Sequence, residues 1–330
     1  MSFVEPKKLP RGAPLDVLVV GYGSAALHWI RALETLGISI GVGVSHISRF
    51  AVFRERYMQR YGVGVQTHIV PVDLSRQLNS YAVGLVATPP LVHAESLDLI
   101  TKGAFQSRES VIFVEKPMMV SHASGNARFL SDSHLNWEKS WMEWAQRVAV
   151  RNSYDPVVFA EGTFVEDVRA SRRAHPWNAH FVEGWWMDES KGGGPLIEFS
   201  HPLFWLGHLF QTIGMSLPMP ELVEMVATPS TDHEQGFKAE LKGTSRGLTW
   251  SVNQAMSIEP TETEKSVAVR FSSGRSELFN FLSLDLTEAG ITSRQLLYRE
   301  LSQAINWTRP LSLARDRALW VDEIINLFRS

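Results

Sequence analysis

The segment KGGGPLIEFSH, Lys191 to His201, places a carboxylate, Glu198, and an imidazole, His201, three residues apart behind three glycines. At that spacing the two side chains share one face of a helical turn. Such a pair suits general acid–base chemistry, the histidine taking or giving a proton and the carboxylate orienting or polarising it. Gly192, Gly193 and Gly194 let the backbone turn tightly beside a ligand, and Pro195 stiffens the exit. Ser200 is expected to cap a helix whose first turn accommodates Pro202. At such a helix start the dipole disfavours imidazolium, which would hold His201 neutral and ready to accept a proton. The Glu-x-x-His spacing also occurs in carboxylate-bridged iron sites, but those require two copies on a four-helix bundle. This chain has one copy, no His-Glu-x-x-His and no cysteine, so no metal is expected.

A second constellation lies near the amino end. Gly21-Tyr22-Gly23-Ser24-Ala25-Ala26 fits G-x-G-x-x-A, directly after the apolar run Leu15–Val20 and at the start of the helical stretch SAALHWIRALETLG. Gly21 permits a tight turn, Gly23 lets the backbone approach a pyrophosphate, and Ala26 is small enough for helix to pack on strand. The helix N-terminus offers free N–H groups and partial positive charge to phosphates. Gly21, Tyr22, Gly23, Ser24 and Ala25 are therefore the expected dinucleotide-binding residues. An acid at the end of the second strand would take the ribose of NAD. No Asp or Glu occurs between Glu34 and Glu55; Ser45, His46, Ser48 and Arg49 stand there instead. Hydroxyls beside an arginine suit a 2′-phosphate, so NADP is expected over NAD.

These groups need elements to hold them. Short apolar runs (LDVLVV, ISIGVGV, YAVGLVA, SVIFV) alternate with helical stretches through the first half, which predicts a parallel sheet covered on both faces. A long helix is expected over Ser121–Arg147, with Trp137, Trp141 and Trp144 on one face as a packing stripe. Beyond Tyr154, ELVEMVAT, GFKAELKG, LTWSVNQAM and KSVAVRFSSGRSELFNF alternate between polar turns and predict an antiparallel sheet; helix returns from Ser293. The expected organisation is a Rossmann dinucleotide-binding domain over residues 1–150 and an α/β substrate domain over residues 151–330.

Composition narrows the partners. The 330 residues carry 32 basic and 35 acidic side chains, a net charge of −3, with no basic run of the nucleic-acid type. The absence of cysteine excludes disulfides, thiolate metal sites and cysteine nucleophiles, and fits a reducing compartment. The opening MSFVEPKKLPRGAP is polar and proline-broken, unlike a signal peptide. No apolar run approaches the ~20 residues that span a bilayer. A soluble, cytoplasmic protein with no nucleic-acid or membrane partner is expected.

Two further motifs make the pattern specific. VATPPLVHAE (Val86–Glu95) ends a strand in Ala87-Thr88-Pro89 and carries His93 into a helix; VEKPM (Val114–Met118) ends a strand in Glu115-Lys116-Pro117. With GYGSAA before them and the glycine segment after, the chain resembles the Gfo/Idh/MocA family of nicotinamide oxidoreductases, which includes glucose–fructose oxidoreductase and inositol dehydrogenase. The resemblance extends over nearly the whole chain, down to SRQLLYRELSQAINW and LSLARDRALWVDEIINLF. It implies a second domain with a large open sheet that often mediates homodimers or homotetramers. It also implies a cofactor site including Ala87, Thr88, Pro89, His93, Glu115 and Lys116, and a catalytic set of Lys116, His201 and Glu198. The family usually has Asp with four residues to its histidine, where this chain has Glu with three.

In that frame hydride passes between the nicotinamide and a secondary alcohol or ketone of a sugar- or cyclitol-like small molecule. Lys116 would stabilise alkoxide charge while His201 handles the proton. Arg172–Gly194, leading into the glycines, offers Arg173, Trp177, Trp185 and Trp186 for substrate contact, since aromatic faces stack on sugar rings or flat heterocycles. Two other functions fit the same residues: reduction of a C=N or conjugated bond, as in imine and biliverdin-type reductases, and a nicotinamide-binding regulator without catalysis.

Overall fold

The computed structural model describes residues 17–44, 48–66, 69–74, 81, 83–89, 92–103, 111–116, 128–174, 195–228, 236–257, 261–302 and 309–327. The chain forms two compact units, Met1–Ser131 with Arg294–Ser312, and Asp132–Ser293 with Leu313–Ser330. Residue 150, near which the domains were expected to part, lies inside a helix of the second unit.

The first unit is built on β1 (Val17–Val20), β2 (Ile40–Val44), β3 (Ile69–Asp73), β4 (Val83–Val86), β5 (Val111–Val114) and β6 (Arg128–Leu130). They form one sheet in the order β3-β2-β1-β4-β5-β6, every neighbour pair parallel. The central strands are buried along their whole length because helices cover both faces, so their sequences read as unbroken apolar runs. The connecting helices are α1 (Ser24–Glu34), α2 (Arg49–Tyr61) and α3 (His93–Gly103). Gly62 ends α2 in the left-handed conformation. β3 carries Pro71, which a sheet accepts at an edge, where a missing N–H costs little.

The long helix expected over Ser121–Arg147 is corrected within the described residues. Phe129 and Leu130 pair with β5 as β6, His134–Trp137 makes a 3-10 turn, and α4 begins only at Lys139 and runs to Asn152. The Glu138 carboxylate caps it, accepting from the Trp141 N–H at 2.8 Å. Trp141 and Trp144 stack at 5.2 Å between centroids and bury against Phe279, so the tryptophans are packing residues.

The second unit holds β7 (Val157–Asp167), β8 (Leu222–Thr228), β9 (Gly236–Ser245), β10 (Leu248–Ser257), β11 (Glu264–Phe271) and β12 (Ser276–Asn280). The order is β12-β11-β7-β10-β9-β8; all pairs are antiparallel except β7 with β10. Helix α5 (Val168–Ala174) follows β7 directly, α6 (Pro195–Thr212) lies on the sheet, and α7 (Leu286–Ser302) and α8 (Arg309–Leu327) close the chain. Glycine sets the approach of α6 to β7: a Cβ on Gly162 would stand 3.1 Å from Pro202 Cβ and 3.2 Å from Leu206 Cγ. Among the described residues no helix is long and apolar enough to cross a membrane.

Asp132 organises the packing of this unit. Its buried carboxylate receives Arg317 Nη2 at 2.5 Å, Asn136 Nδ2 at 2.6 Å, Trp137 Nε1 at 3.0 Å and the Ser133 N–H at 2.9 Å. Asn136 Nδ2 also donates to the Phe204 carbonyl of α6 at 3.0 Å, and Arg317 Nη1 to Gln211 Oε1 at 2.5 Å. Removing one partner of a buried ion pair strands the other charge. Asp132→Ala should therefore cost about 3–5 kcal/mol of unfolding free energy in urea titrations, more than the same change at exposed Asp98. A cost below about 1 kcal/mol would remove Asp132 from this role.

Candidate active site

The candidate residues divide between the two units. In the first, backbone hydrogen bonds align the carboxyl ends of four neighbouring strands: Gly21 N–H donates to Gly43 O at 3.3 Å, Ala87 N–H to Val20 O at 2.9 Å, and Glu115 N–H to Val86 O at 2.8 Å. Gly21, Ala87, Glu115 and Lys116 thus emerge along one sheet edge, where the strand order reverses and open α/β sheets bind ligands.

Gly21 and Gly23 differ in what they require. Gly21 has φ +112°, and a Cβ there would lie 2.6 Å from the Ala87 carbonyl oxygen, so glycine is needed to bring β1 and β4 together at their ends. Gly23 has φ −77°, and a Cβ would meet nothing within 4 Å among the described residues. It is the N-cap of α1 with no side-chain cap, and only its carbonyl is used, accepting from Leu27 N–H at 3.0 Å. The first-turn N–H groups of α1 therefore lack a side-chain cap and carry partial positive charge, a fit for a pyrophosphate. Tyr22 lies beside them with the Arg56 guanidinium 5.6 Å from its ring centroid. Arg49, in the first turn of α2, is exposed, as is the N-cap Ser48. Ser45 and His46 lie outside the described residues.

The other expected cofactor residues serve the shape of the edge. His93 is fully buried, its Nε2 within 2.8 Å of the Thr88 carbonyl, and Thr88 Oγ1 meets Ser96 Oγ at 3.2 Å. These contacts fix the Thr88–Pro89 turn to the start of α3. Glu115 accepts from Trp29 Nε1 of α1 at 2.7 Å. The buried Arg294 guanidinium sits 5.7 Å from the Trp29 ring; burial lowers its pKa, and the Glu115 charge opposes that shift. Glu115 thus anchors the end of β5, and half-buried Lys116 follows it immediately.

In the second unit His201 is half-buried on α6. Its ring stacks on Phe164 of β7 at 5.1 Å and 9°, with Trp205 at 5.9 Å. The expected helix start at Ser200 is corrected: α6 begins at Pro195, so His201 lies in its second turn and Pro202 inside the helix. The dipole effect fades beyond the first turn, so a neutral His201 cannot be ascribed to it. Pro202 instead leaves the carbonyl four residues back without its usual donor. Glu198 shares the helix backbone, and its side chain lies outside the described set, as do Trp177, Trp185 and Trp186; Arg173 is exposed on α5.

The register surrounds Phe164 with groups that sequence alone did not connect. Lys265 of β11 and Gln254 of β10 both stand opposite Phe164. Lys265 Nζ lies 4.7 Å from the Phe164 ring centroid and 3.6 Å from the Glu166 carboxylate, which also accepts from Ser171 Oγ at 2.5 Å. Arg56 also went unnamed, although it falls seven residues after Arg49, on the same helical face. His208, seven beyond His201, instead accepts from Trp141 Nε1 at 2.6 Å. Burial, aided by the Arg317 charge, holds its pKa well below 6.5. Among the described residues no group of three or more His, Cys, Asp or Glu is placed to hold a metal.

No family model matches the chain, and no curated protein matches it. Solved structures do. Biliverdin reductase from Synechocystis sp. PCC 6803, in complex with biliverdin and NADP+, aligns over 96% of this chain and 98% of its own, with a TM-score of 0.63 and 12% identity. The myo-inositol 2-dehydrogenase of Lactobacillus plantarum gives 0.60 and 11% over 96% and 98%. A super-repressor mutant of Gal80p from Saccharomyces cerevisiae gives 0.59 and 9% over 96% of both chains. The likeness is one of fold. It covers both sheets, the parallel one and the mixed, mainly antiparallel one expected from the sequence.

Two predictions follow from the local geometry. Gly21→Ala should cost about 2 kcal/mol or more in urea unfolding through strain and the Ala87 contact, while Gly23→Ala should cost about 1 kcal/mol or less. Equal costs would contradict the distinction. For His208 the folded pKa lies below the unfolded one, so its contribution is complete above about pH 6.5 and is lost as pH falls. Stability measured down a pH series should therefore decline less steeply in His208→Gln than in wild type.

Proposed function

We propose that the protein is a nicotinamide-dependent oxidoreductase acting on a secondary alcohol or ketone of a sugar- or cyclitol-like molecule. The observation that carries this reading is the first-unit edge, where an uncapped helix N-terminus at Gly23 adjoins aligned strand ends bearing Ala87 and Lys116. A bound nicotinamide dinucleotide would supply hydride transfer. Gly21, Tyr22, Gly23, Ser24 and Ala25 would hold its pyrophosphate. Arg49, and Arg56 on the same helical face with its guanidinium 5.6 Å from the Tyr22 ring centroid, favour the 2′-phosphate of NADP.

The chain's own groups then manage charge and protons. Lys116 stabilises negative charge growing on the substrate oxygen. His201, its ring held by Phe164 and Trp205, takes the hydroxyl proton in oxidation and returns it in reduction. Glu198 orients His201. The likeness to biliverdin reductase favours an alternative, reduction of a conjugated or C=N bond, and the likeness to Gal80p favours a regulator that binds the dinucleotide without turnover.

A thermal-shift titration with NAD, NADH, NADP and NADPH tests the base of the proposal. Ligand at a hundred times its Kd stabilises by about 2.7 kcal/mol. The phosphorylated pair should give the larger shift, and Gly23→Ala should reduce it. No shift with any of the four sinks the proposal. Ketone and imine panels then distinguish the two chemistries. Lys116→Met and His201→Asn should each lower turnover about 10²–10⁴-fold, and the double variant should lose less than the product of the two.

A further inference from the structure

We propose that the Gln254 carboxamide is a substrate-binding group that grips a pair of neighbouring hydroxyls on an uncharged ligand beside His201. The inference rests on the oxidoreductase reading above for the identity of the reaction, but its observations are independent of the dinucleotide site. Gln254 stands opposite Phe164 across the parallel β10–β7 pair, and Phe164 is the ring on which His201 stacks at 5.1 Å. Along β10 it lies on the same face as buried Trp250, Val252 and Met256, so it occupies a position that apolar side chains fill at every neighbouring step of that face.

Gln254 is 0% exposed, and among the described residues neither Oε1 nor Nε2 has a hydrogen-bond partner. A buried carboxamide with both ends idle destabilises the fold, and native proteins satisfy nearly all such groups. Trp205, which packs on Phe164 at 6.2 Å and on His201 at 5.9 Å, also has a buried Nε1 with no partner among the described residues. An idle carboxamide thus stands opposite Phe164 in the sheet, and an idle indole N–H belongs to a ring packed on Phe164.

The surroundings define the ligand chemistry. A carboxamide offers an acceptor and two donors on neighbouring atoms. Its complement is a vicinal hydroxyl pair, in which each oxygen both donates and accepts. Lys265, 4.7 Å from the Phe164 ring centroid, is already matched by Glu166 at 3.6 Å, so among the described residues this pair leaves no net charge that calls for a carboxylate or phosphate. The Phe164 and Trp205 rings suit the C–H faces of a cyclic polyol. Shielding from bulk water strengthens each hydrogen bond that Gln254 makes to a ligand.

Gln254→Met, close in shape and without the amide, separates this role from a structural one. The ligand-free variant should melt a few degrees higher than wild type, because an unsatisfied polar group is gone. Its apparent Kd for myo-inositol and for D-glucose, read by thermal shift or calorimetry, should rise tenfold or more, while its response to NADPH and NADH stays at wild-type size. Gln254→Leu should behave in the same direction. The polyol titrations are run with and without dinucleotide, so their result stands even if dinucleotide binding fails and the oxidoreductase reading falls. A lower melting temperature in both variants would make Gln254 a packing residue and overturn the proposal. Unchanged polyol affinity in the variants would overturn it, as would a wild-type protein that responds to 2-pyrrolidinone, a cyclic lactam, and to no polyol.

Discussion

The carboxylate of Asp132 holds the second unit to one arrangement. It joins a 3-10 turn, the guanidinium of α8 and, through Asn136, a backbone carbonyl of α6. Hydrogen bonds fix directions as well as distances, and an ion pair taken out of water keeps its attraction only when its geometry is met. The helix bearing His201 is tied to α8 by Gln211 and Arg317 and pressed against β7 at Gly162. Together these contacts fix the backbone from which the His201 imidazole projects.

The first unit solves its positioning problem with backbone. Three hydrogen bonds between strand ends set the edge, and one glycine permits it. Around them, polar side chains spend their hydrogen bonds internally: His93 on Thr88, Glu115 on Trp29. The Thr88–Pro89 turn and Lys116 are thus presented by neighbours that need touch no ligand themselves.

Much of this was legible in the residues. The buried parallel strands show as unbroken apolar runs, and the glycine pattern after β1 states its geometry because only glycine tolerates the Gly21 conformation. What escaped did so for physical reasons. β3 is interrupted by Pro71, and β6 has only three residues. In β7, Glu161, Gly162 and Glu166 break up an apolar alternation, and burial does not alternate there either, Gly162, Thr163 and Phe164 being buried in a row. The start of α6 offered two prolines, Pro195 and Pro202; the first occupies the position proline favours in a helix, and the second was mistaken for it. The group around Phe164 was beyond reach, because Gln254 and Lys265 are brought to it by strand register over about ninety residues or more of chain.

Gly162 gives this arrangement an adjustable shim. The strand touches α6 at Pro202, the residue after His201, where proline has already removed one rung of the helical ladder. A single methyl added on the strand would press on the least stiff turn of the helix and tilt the imidazole above it. The orientation of His201 would then change through a contact between two carbon atoms, with no substitution on the helix itself.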